Sequence, residues 1–255
     1  MTSQANRAKE FHALHQKGNP VILFNIWDPG TAKTVAAAGA KAIATGSWPA
    51  AVAHGFEDGE KIPLDLALDN VRRIVESVDL PVSLDFEGGY DATPTGIEEN
   101  VKRACASGVV GFNFEDQIVG TSDLYDSTTQ AARVAAMRRA ADSVVGSVYI
   151  NSRTDIFLKA KPDTHSDAML DEAIERAKAY EQAGASGFFA PGLGDEKMIA
   201  RLCEEVALPI NIIALPHVPD TNVLAGLGVA RISYGPVPYR KMTKWLEDEA
   251  RKAFS

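Results

Sequence analysis

The sequence predicts an α/β fold of the (β/α)8 type, a barrel of parallel strands ringed by helices, formed as one domain over residues 1–255. Three observations predict it. Eight apolar runs recur along the chain, and each is followed by a segment of helical periodicity. The runs are apolar throughout rather than alternating, as expected of strands covered on both faces. The helical segments end in glycine, as at Ala38–Ala40, Ser107-Gly108, Ala183–Ala185 and Leu227-Gly228, which is the C-cap signal. A doubly wound sheet is the alternative. It fits less well, because no Gly-x-Gly-x-x-Gly phosphate loop follows the first run.

In chain order, Thr2 to Gly18 reads as a helix that stops at Gly18. The strand-like runs are Val21–Trp27, Ala42–Ser47, Val82–Glu87, Val110–Asp116, Val148–Asp155, Gly187–Gly192, Ile210–Ala214 and Ala230–Gly235. The helical segments between them are Thr31–Ala38, Asp65–Ser77, Ile97–Ala106, Thr128–Ser143, Asp167–Gln182, Glu196–Val206 and Asn222–Leu227. Val237–Phe254 is the last helix. Joints such as Asp79-Leu80-Pro81 and Ala207-Leu208-Pro209 lead into strands.

The chain is 45 % hydrophobic and 24 % charged, an ordinary globular balance. A net charge of −8 argues against nucleic acid as a partner. No apolar run reaches membrane-spanning length, and Met1 to Lys17 is polar and mixed in charge, so neither a membrane span nor a secretory leader is expected. Two widely separated cysteines, Cys105 and Cys203, have no metal-ligand spacing and point to a cytoplasmic protein.

The chemistry centres on Ser83-Leu84-Asp85-Phe86-Glu87-Gly88-Gly89-Tyr90. If this stretch is a strand, Asp85 and Glu87 at i and i+2 share a face. Two carboxylates on one buried face call for a cation, and a hard divalent ion such as Mg²⁺ (with Mn²⁺ as a substitute) is the simplest. The alternative is that the two acids merely cap a loop. In a barrel the site lies at the carboxyl ends of the strands. There the sequence places Asn25, Trp27 and Asp28, then Thr45, Gly46 and Ser47, then Asp85 and Glu87. Asn113, Glu115, Asp116 and Gln117 follow, then Asn151, Arg153, Thr154 and Asp155, and finally Pro191, Asn211, Arg231, Ser233 and Tyr234. The carboxylates gather on the third, fourth and fifth strands, which favours the cation.

Taken together, Phe24–Asp28, Ala44–Ser47, Ser83–Tyr90, Phe114–Gln117 and Ser152–Asp155 resemble the isocitrate lyase / phosphoenolpyruvate mutase superfamily in order and spacing, from Val21 to Pro236. The resemblance implies a barrel, Mg²⁺, and a small carboxylate substrate that is a 2-oxo acid or its enolate. It implies that Asp85 binds the metal directly and that Glu115 reaches it through water. Glu87 stands where the family usually has Asp and is assigned to the outer shell of the metal. Arg153 is implied to hold the substrate carboxylate or phosphonate, and Trp27 and Asp28 to lie under the substrate. Ser47, with the backbone N–H groups around Gly46 and Trp48 and with Thr45 beside them, is implied to bind the substrate carboxylate, and Asp58 stands where the family has an acid on the loop after the second strand and is implied to be catalytic. Homo-oligomers, dimers or tetramers with exchanged C-terminal helices, are implied as well. Tyr239, Met242, Trp245 and Leu246 are the apolar face such a helix offers.

The loop Gln117–Asp126 departs from both branches of that family. It has no Lys-Lys/Arg-Cys-Gly-His run, as the C–C lyases carry, and no Lys, as the phosphonomutases carry. Cys105 lies in a preceding helical segment and reads as core. No cationic side chain stands between Glu115 and Arg133, where phosphoryl transfer would want one. The loop offers Ser122 and Tyr125 instead; Tyr125 is a proton donor or a packing residue of a lid. His217, after the seventh strand, is a second candidate acid or a surface histidine. The reading is a C–C lyase or decarboxylase of 2-oxo acids. Phosphoenolpyruvate mutase or phosphonopyruvate hydrolase chemistry and a non-catalytic 2-oxo-acid binder are the alternatives.

Overall fold

The computed structural model describes residues 3–255. Eight parallel strands form one sheet: β1 Val21–Leu23, β2 Ile43–Ala44, β3 Val82–Asp85, β4 Gly111–Glu115, β5 Tyr149–Arg153, β6 Gly187–Phe189, β7 Ile210–Ile213 and β8 Arg231–Ser233. Their order is β1-β8-β7-β6-β5-β4-β3-β2. The expected barrel is therefore present, with a seam between β1 and β2. A single bridge, Ile26 to Thr45, crosses that seam, carried by Ile26 N–H to Ala44 O (2.9 Å) and Gly46 N–H to Ile26 O (2.9 Å).

Asn25 reinforces the seam. Its Nδ2 donates to Thr45 O (2.8 Å), and its Oδ1 accepts from the N–H groups of Tyr234 (2.9 Å) and Gly235 (2.8 Å). One side chain thus ties the ends of β8 and β2 across β1.

The helices are α1 Gln4–Ala13, α2 Pro29–Ala37, α3 Ser47–Ala53, α4 Leu64–Ser77, α5 Pro94–Ala106, α6 Ser127–Val144, α7 Asp167–Gln182, α8 Glu196–Glu205, α9 Thr221–Gly226 and α10 Val237–Phe254. Side-chain caps explain many of their starts: Asp28, Thr93, Asp126, Ser166, Asp195 and Asp220 each accept a backbone N–H of the first turn. The first helix ends at Ala13, short of the expected Gly18, because residues 14–19 turn back through a Gln16–Asn19 bridge. Thr2, where the expected helix begins, lies outside the described residues. The short α3 falls in a segment whose start the sequence reading assigned to the end of the second strand.

α1 plugs the amino-terminal end of the barrel. Phe11 stands against Gly111, where a Cβ would come within 2.7 Å of its ring, so glycine is what admits it. Behind Phe11, the His15 ring stacks on Tyr149 at 3.8 Å, and its Nδ1 faces Phe11 O at 2.7 Å. A carbonyl can only accept, so Nδ1 carries a proton, and burial keeps the ring otherwise unprotonated. Cys105 on α5 and Cys203 on α8 are both buried, and burial pushes their thiols up to about 12 and about 11.

The helical ring is open over β1. Ile22 and Phe24 remain 36 % and 41 % exposed, facing a groove of about 790 Å³ that Val35 and Ala40 also line. α10 runs away from the barrel, with Pro238 as its buried residue and with Met242, Trp245, Leu246 and Phe254 exposed. Among the described residues no helix is long and apolar enough to cross a membrane.

Burial lowers the pKa of His15 to about 3, and the Arg231 charge adds to that shift. A histidine neutral in the fold takes a proton on unfolding, so its contribution is complete above about pH 6.5 and is lost as pH falls toward its folded value. Unfolding titrations should therefore show stability falling by about 2 kcal/mol between pH 6.5 and 5 from this residue. In His15→Asn, which keeps a donor for Phe11 O, that part of the slope should vanish; an unchanged slope would refute the assignment.

Candidate active site

At the carboxyl ends of the strands lies a cavity of about 330 Å³. Its wall includes Asn25, Gly46, Ser47, Trp48, Asp58 and Asp85. Asn113, Arg153, Ser233 and Arg240 complete its polar lining. It is smaller than the groove outside β1, but it holds the ionisable chemistry.

Asp85 is the last residue of β3, and its place is set from two sides. Its N–H donates to Thr45 Oγ1 (2.9 Å), and its Oδ2 accepts from Ser47 N–H (3.0 Å). Gly46 makes that approach possible, since a Cβ there would lie 2.8 Å from Pro49 Cγ. The other oxygen, Asp85 Oδ1, is buried without a partner. A buried carboxylate oxygen without a donor is costly, and a cation would satisfy it.

The surrounding acids share this stress. Glu87 is pushed up to about 9, first by burial and then by Asp58, Asp85 and Glu115. Glu115 is pushed up to about 8 by burial, against the pull of Arg153. Asp58, on a solvent-exposed loop at the mouth, is raised by partial desolvation and then by Asp85. Among the described residues no three acid, histidine or cysteine side chains converge as a ready-made metal cage. What fits is a hard divalent ion held by few protein oxygens and completed by water, with Asp85 Oδ1 as the direct contact.

Arg153 is clamped by its neighbours. Its Nε and Nη2 donate to Asp155 (2.5 and 2.8 Å), and its Nη1 pairs with Glu115 (2.9 Å). Burial opposes its charge, but Glu115 and Asp155 outweigh that and hold it protonated. Three of its five N–H groups are thereby given to protein carboxylates.

Several expected site residues sit outside the cavity wall or are turned from the expected direction. Glu87 does not continue β3; it has φ +50°, and its carboxylate turns to accept from Glu60 N–H (3.0 Å). The i, i+2 alternation therefore breaks at Phe86, and Asp85 and Glu87 do not share a strand face. Asp28 is the N-cap of α2, in a reciprocal box with Thr31, and Trp27 is buried edge-on to Tyr239. Neither lines the cavity. The N–H groups of Gly46 and Ser47 are taken by Ile26 O and Asp85, so they are not free for a substrate carboxylate.

Ser122 is exposed and reaches only Asp123. Tyr125 packs under the Arg133 guanidinium (4.0 Å) in a separate cavity of about 230 Å³. His217 is exposed, with Nε2 3.1 Å from Gly192 O. Asn211 is fully buried, accepting from Ser233 Oγ (3.1 Å) one layer below the cavity. Of the four residues expected to be catalytic, Asp58, Ser122, Tyr125 and His217, Asp58 is the one that lines the cavity.

Several polar contributors escaped the sequence assignment, Asn25, Asn113, Ser233 and Arg240 among them. Asn113 was placed on the rim without a role, although the alternation Gly111-Phe112-Asn113-Phe114-Glu115 marks it as inward-facing. Arg240 comes from α10 and stacks over Trp48 (4.9 Å), a placement with no local signal because it depends on where the chain goes after β8.

Asp116 shows the opposite role for a rim acid. It is fully buried and accepts from Asp155 N–H (3.0 Å), Tyr180 Oη (3.0 Å) and Arg176 Nη1 (3.1 Å). Asp116→Ala should cost about 3–5 kcal/mol in urea unfolding, because it strands a paired charge. Asp85→Ala should leave stability unchanged or raise it, because it removes a repelling carboxylate. Equal losses in both variants would show that Asp85 is a structural acid like Asp116.

Residues 11–254 match the family model described as phosphoenolpyruvate phosphomutase. A crystal structure from Burkholderia cenocepacia, described provisionally as a phosphonomutase, is 41 % identical and superposes with a TM-score of 0.96, covering 98 % of this chain and 100 % of that one. The 2-methylisocitrate lyase of Escherichia coli is 28 % identical over 244 residues, 94 % of this chain and 81 % of that protein. A phosphonopyruvate hydrolase solved with oxalate and Mg²⁺ shares the fold, with a TM-score of 0.82 at 18 % identity, covering 98 % of this chain and 87 % of that one.

Proposed function

We propose, starting from a chain that belongs to the phosphoenolpyruvate phosphomutase family, that this protein is an enzyme that uses a divalent cation, Mg²⁺ first, to break a carbon–carbon bond next to a 2-oxo carboxylate, as a lyase or decarboxylase. The single observation that carries the reading is the unpartnered, buried Asp85 Oδ1 on the third strand of the barrel, beside a cavity sized for a small acid. Relatives in this family are enzymes, and they include both lyases and P–C bond enzymes.

Asp85 would hold the cation, with Glu115 and Glu87 ordering its waters. Bound there, the cation supplies Lewis acidity toward a 2-oxo acid. Arg153 has two N–H groups left for a substrate oxygen, and Arg240 adds a cation at the mouth. Asp58 is positioned to move the proton, because it lines the cavity with a carboxyl raised above the usual range. The loop 117–126 brings no cationic side chain, which supports carbon chemistry over phosphoryl chemistry.

The test is a panel of oxaloacetate, substituted malates, 2-methylisocitrate and phosphonopyruvate with Mg²⁺, with and without EDTA. Pyruvate or CO₂ release from a carbon substrate, lost with EDTA and in Asp85→Ala, is the expected result. Asp58→Asn should lower kcat by about 10²–10⁴ while oxalate still binds within a few fold. Phosphate or phosphoenolpyruvate from phosphonopyruvate would instead establish P–C chemistry, which the 41 % identity to the Burkholderia protein favours. Oxalate binding without any turnover would mark a binding protein.

The same reading extends to assembly. α10 exposes Met242, Trp245 and Leu246 at helical spacing, and the groove over β1 exposes Ile22 and Phe24. A second copy's α10 covering that groove would make a homo-oligomer, dimer or tetramer. Sedimentation of Trp245→Glu should then report a smaller species than the wild type; an unchanged size would exclude this helix from the interface.

A further inference from the structure

Behind Asn113 and Ser233, two residues of the cavity wall, lies an unmatched charge. Arg231, the first residue of β8, is fully buried, and among the described residues it makes no salt bridge. Its Nη1 has no partner. Its Nη2 donates to Asn113 Oδ1 (3.0 Å), and its Nε is 3.4 Å from Ser233 Oγ. Burial brings its pKa down to about 10, so it stays charged at neutral pH. Arg153, by contrast, meets two carboxylates. The positive charge left for an anion therefore comes from Arg231 below and Arg240 at the mouth.

Asn113 stands between Arg231 and the cavity. Its Oδ1 also accepts from Asn151 Nδ2 (2.9 Å). A guanidinium has no acceptor, so the amide atom facing Arg231 must be the oxygen. The orientation of Asn113 is thereby fixed by chemistry. Its NH₂ is the end left over, and Asn113 belongs to the wall that also holds Asp85 and Arg153.

We infer that Asn113 is a substrate-contacting residue that selects an oxygen bearing negative charge, carboxylate or enolate, and that Arg231 is the positioning residue that aims it. The inference rests on the cavity being the acidic-substrate site proposed above. An amide NH₂ offers two donors and no acceptor in that direction, so it binds an ionised oxygen and rejects a hydroxyl that must donate. Ser233 Oγ is held in the same way, close to Arg231 Nε and donating to Asn211 Oδ1, and it also lines the cavity. Arg231 thus sets two side chains of the floor.

Calorimetric titration of the full chain with oxalate, in Mg²⁺, tests this alongside thermal melts. Asn113→Asp is nearly isosteric, gives Arg231 a counter-ion and removes the donors. It should weaken oxalate about 10–100-fold with the melting temperature unchanged or raised. Arg231→Met should weaken oxalate about tenfold, with no loss of melting temperature, since an unpaired buried charge is removed. A merely structural Arg231 would lower the melting temperature and leave the affinity of the folded protein alone, which would overturn the inference. Asn113→Asp binding oxalate like the wild type would overturn it too, even if Arg231→Met did not fold. Asp85→Asn separates the two readings. Loss of binding there but not in Asn113→Asp keeps the metal reading and sinks this one; the reverse keeps this one and sinks the metal reading. Wild-type protein that binds no oxalate sinks both.

Discussion

Closure of the barrel at the β1–β2 seam is the constraint on which the site depends. The other strand pairs carry ladders of two to five registered positions, but this pair has one bridge and the Asn25 amide. The pairing of β2 with β3 sets Thr45 beside the end of β3, and the seam fixes Thr45 and Gly46 from behind through Asn25 and Ile26. Thr45 Oγ1 and Ser47 N–H, backed by that seam, grip Asp85 from both sides. A side-chain amide suits the task because it satisfies an acceptor at the end of one neighbouring strand and two donors at the end of the other, where a ladder would need matched strand lengths.

Charge is then distributed in pairs around that grip. Asp116 is matched by Arg176, and Arg153 by Glu115 and Asp155, so those groups hold loops and strands together. Asp85 and Arg231 have no such match; Asp85 lines the cavity, and Arg231 lies behind Asn113 and Ser233, which line it too. Buried polar atoms without partners are rare in native proteins and concentrate where a ligand completes them.

Much of the fold was legible in the sequence, because a strand buried on both faces must be apolar and a helix C-cap favours glycine. The eight runs and the helices after them follow from those two facts. Asp85 was legible as well, because it ends an apolar run. Glu87 was not: its left-handed backbone redirects the carboxylate, and nothing local announces φ +50° at a glutamate followed by two glycines that could have taken the turn. Tyr125 was read as a site residue from its loop, but its ring finds Arg133 on α6, a contact made only after the loop folds back through the Gln117–Leu124 bridge. Arg240 depended on the path of α10. Asn113 could have been found by counting alternate positions inward along β4.

The two buried thiols give the barrel an internal reporter. Cys105 and Cys203 lie on α5 and α8, helices that cover different strands, and with their thiols at about 12 and about 11 they hold almost no thiolate at neutral pH in the closed fold. Alkylation must therefore wait for each helix to lift away from the sheet. The labelling rate at each sulfur becomes a clock for opening of its own sector. A barrel that breathes as separate sectors would keep two times, and one that opens as a whole would keep one.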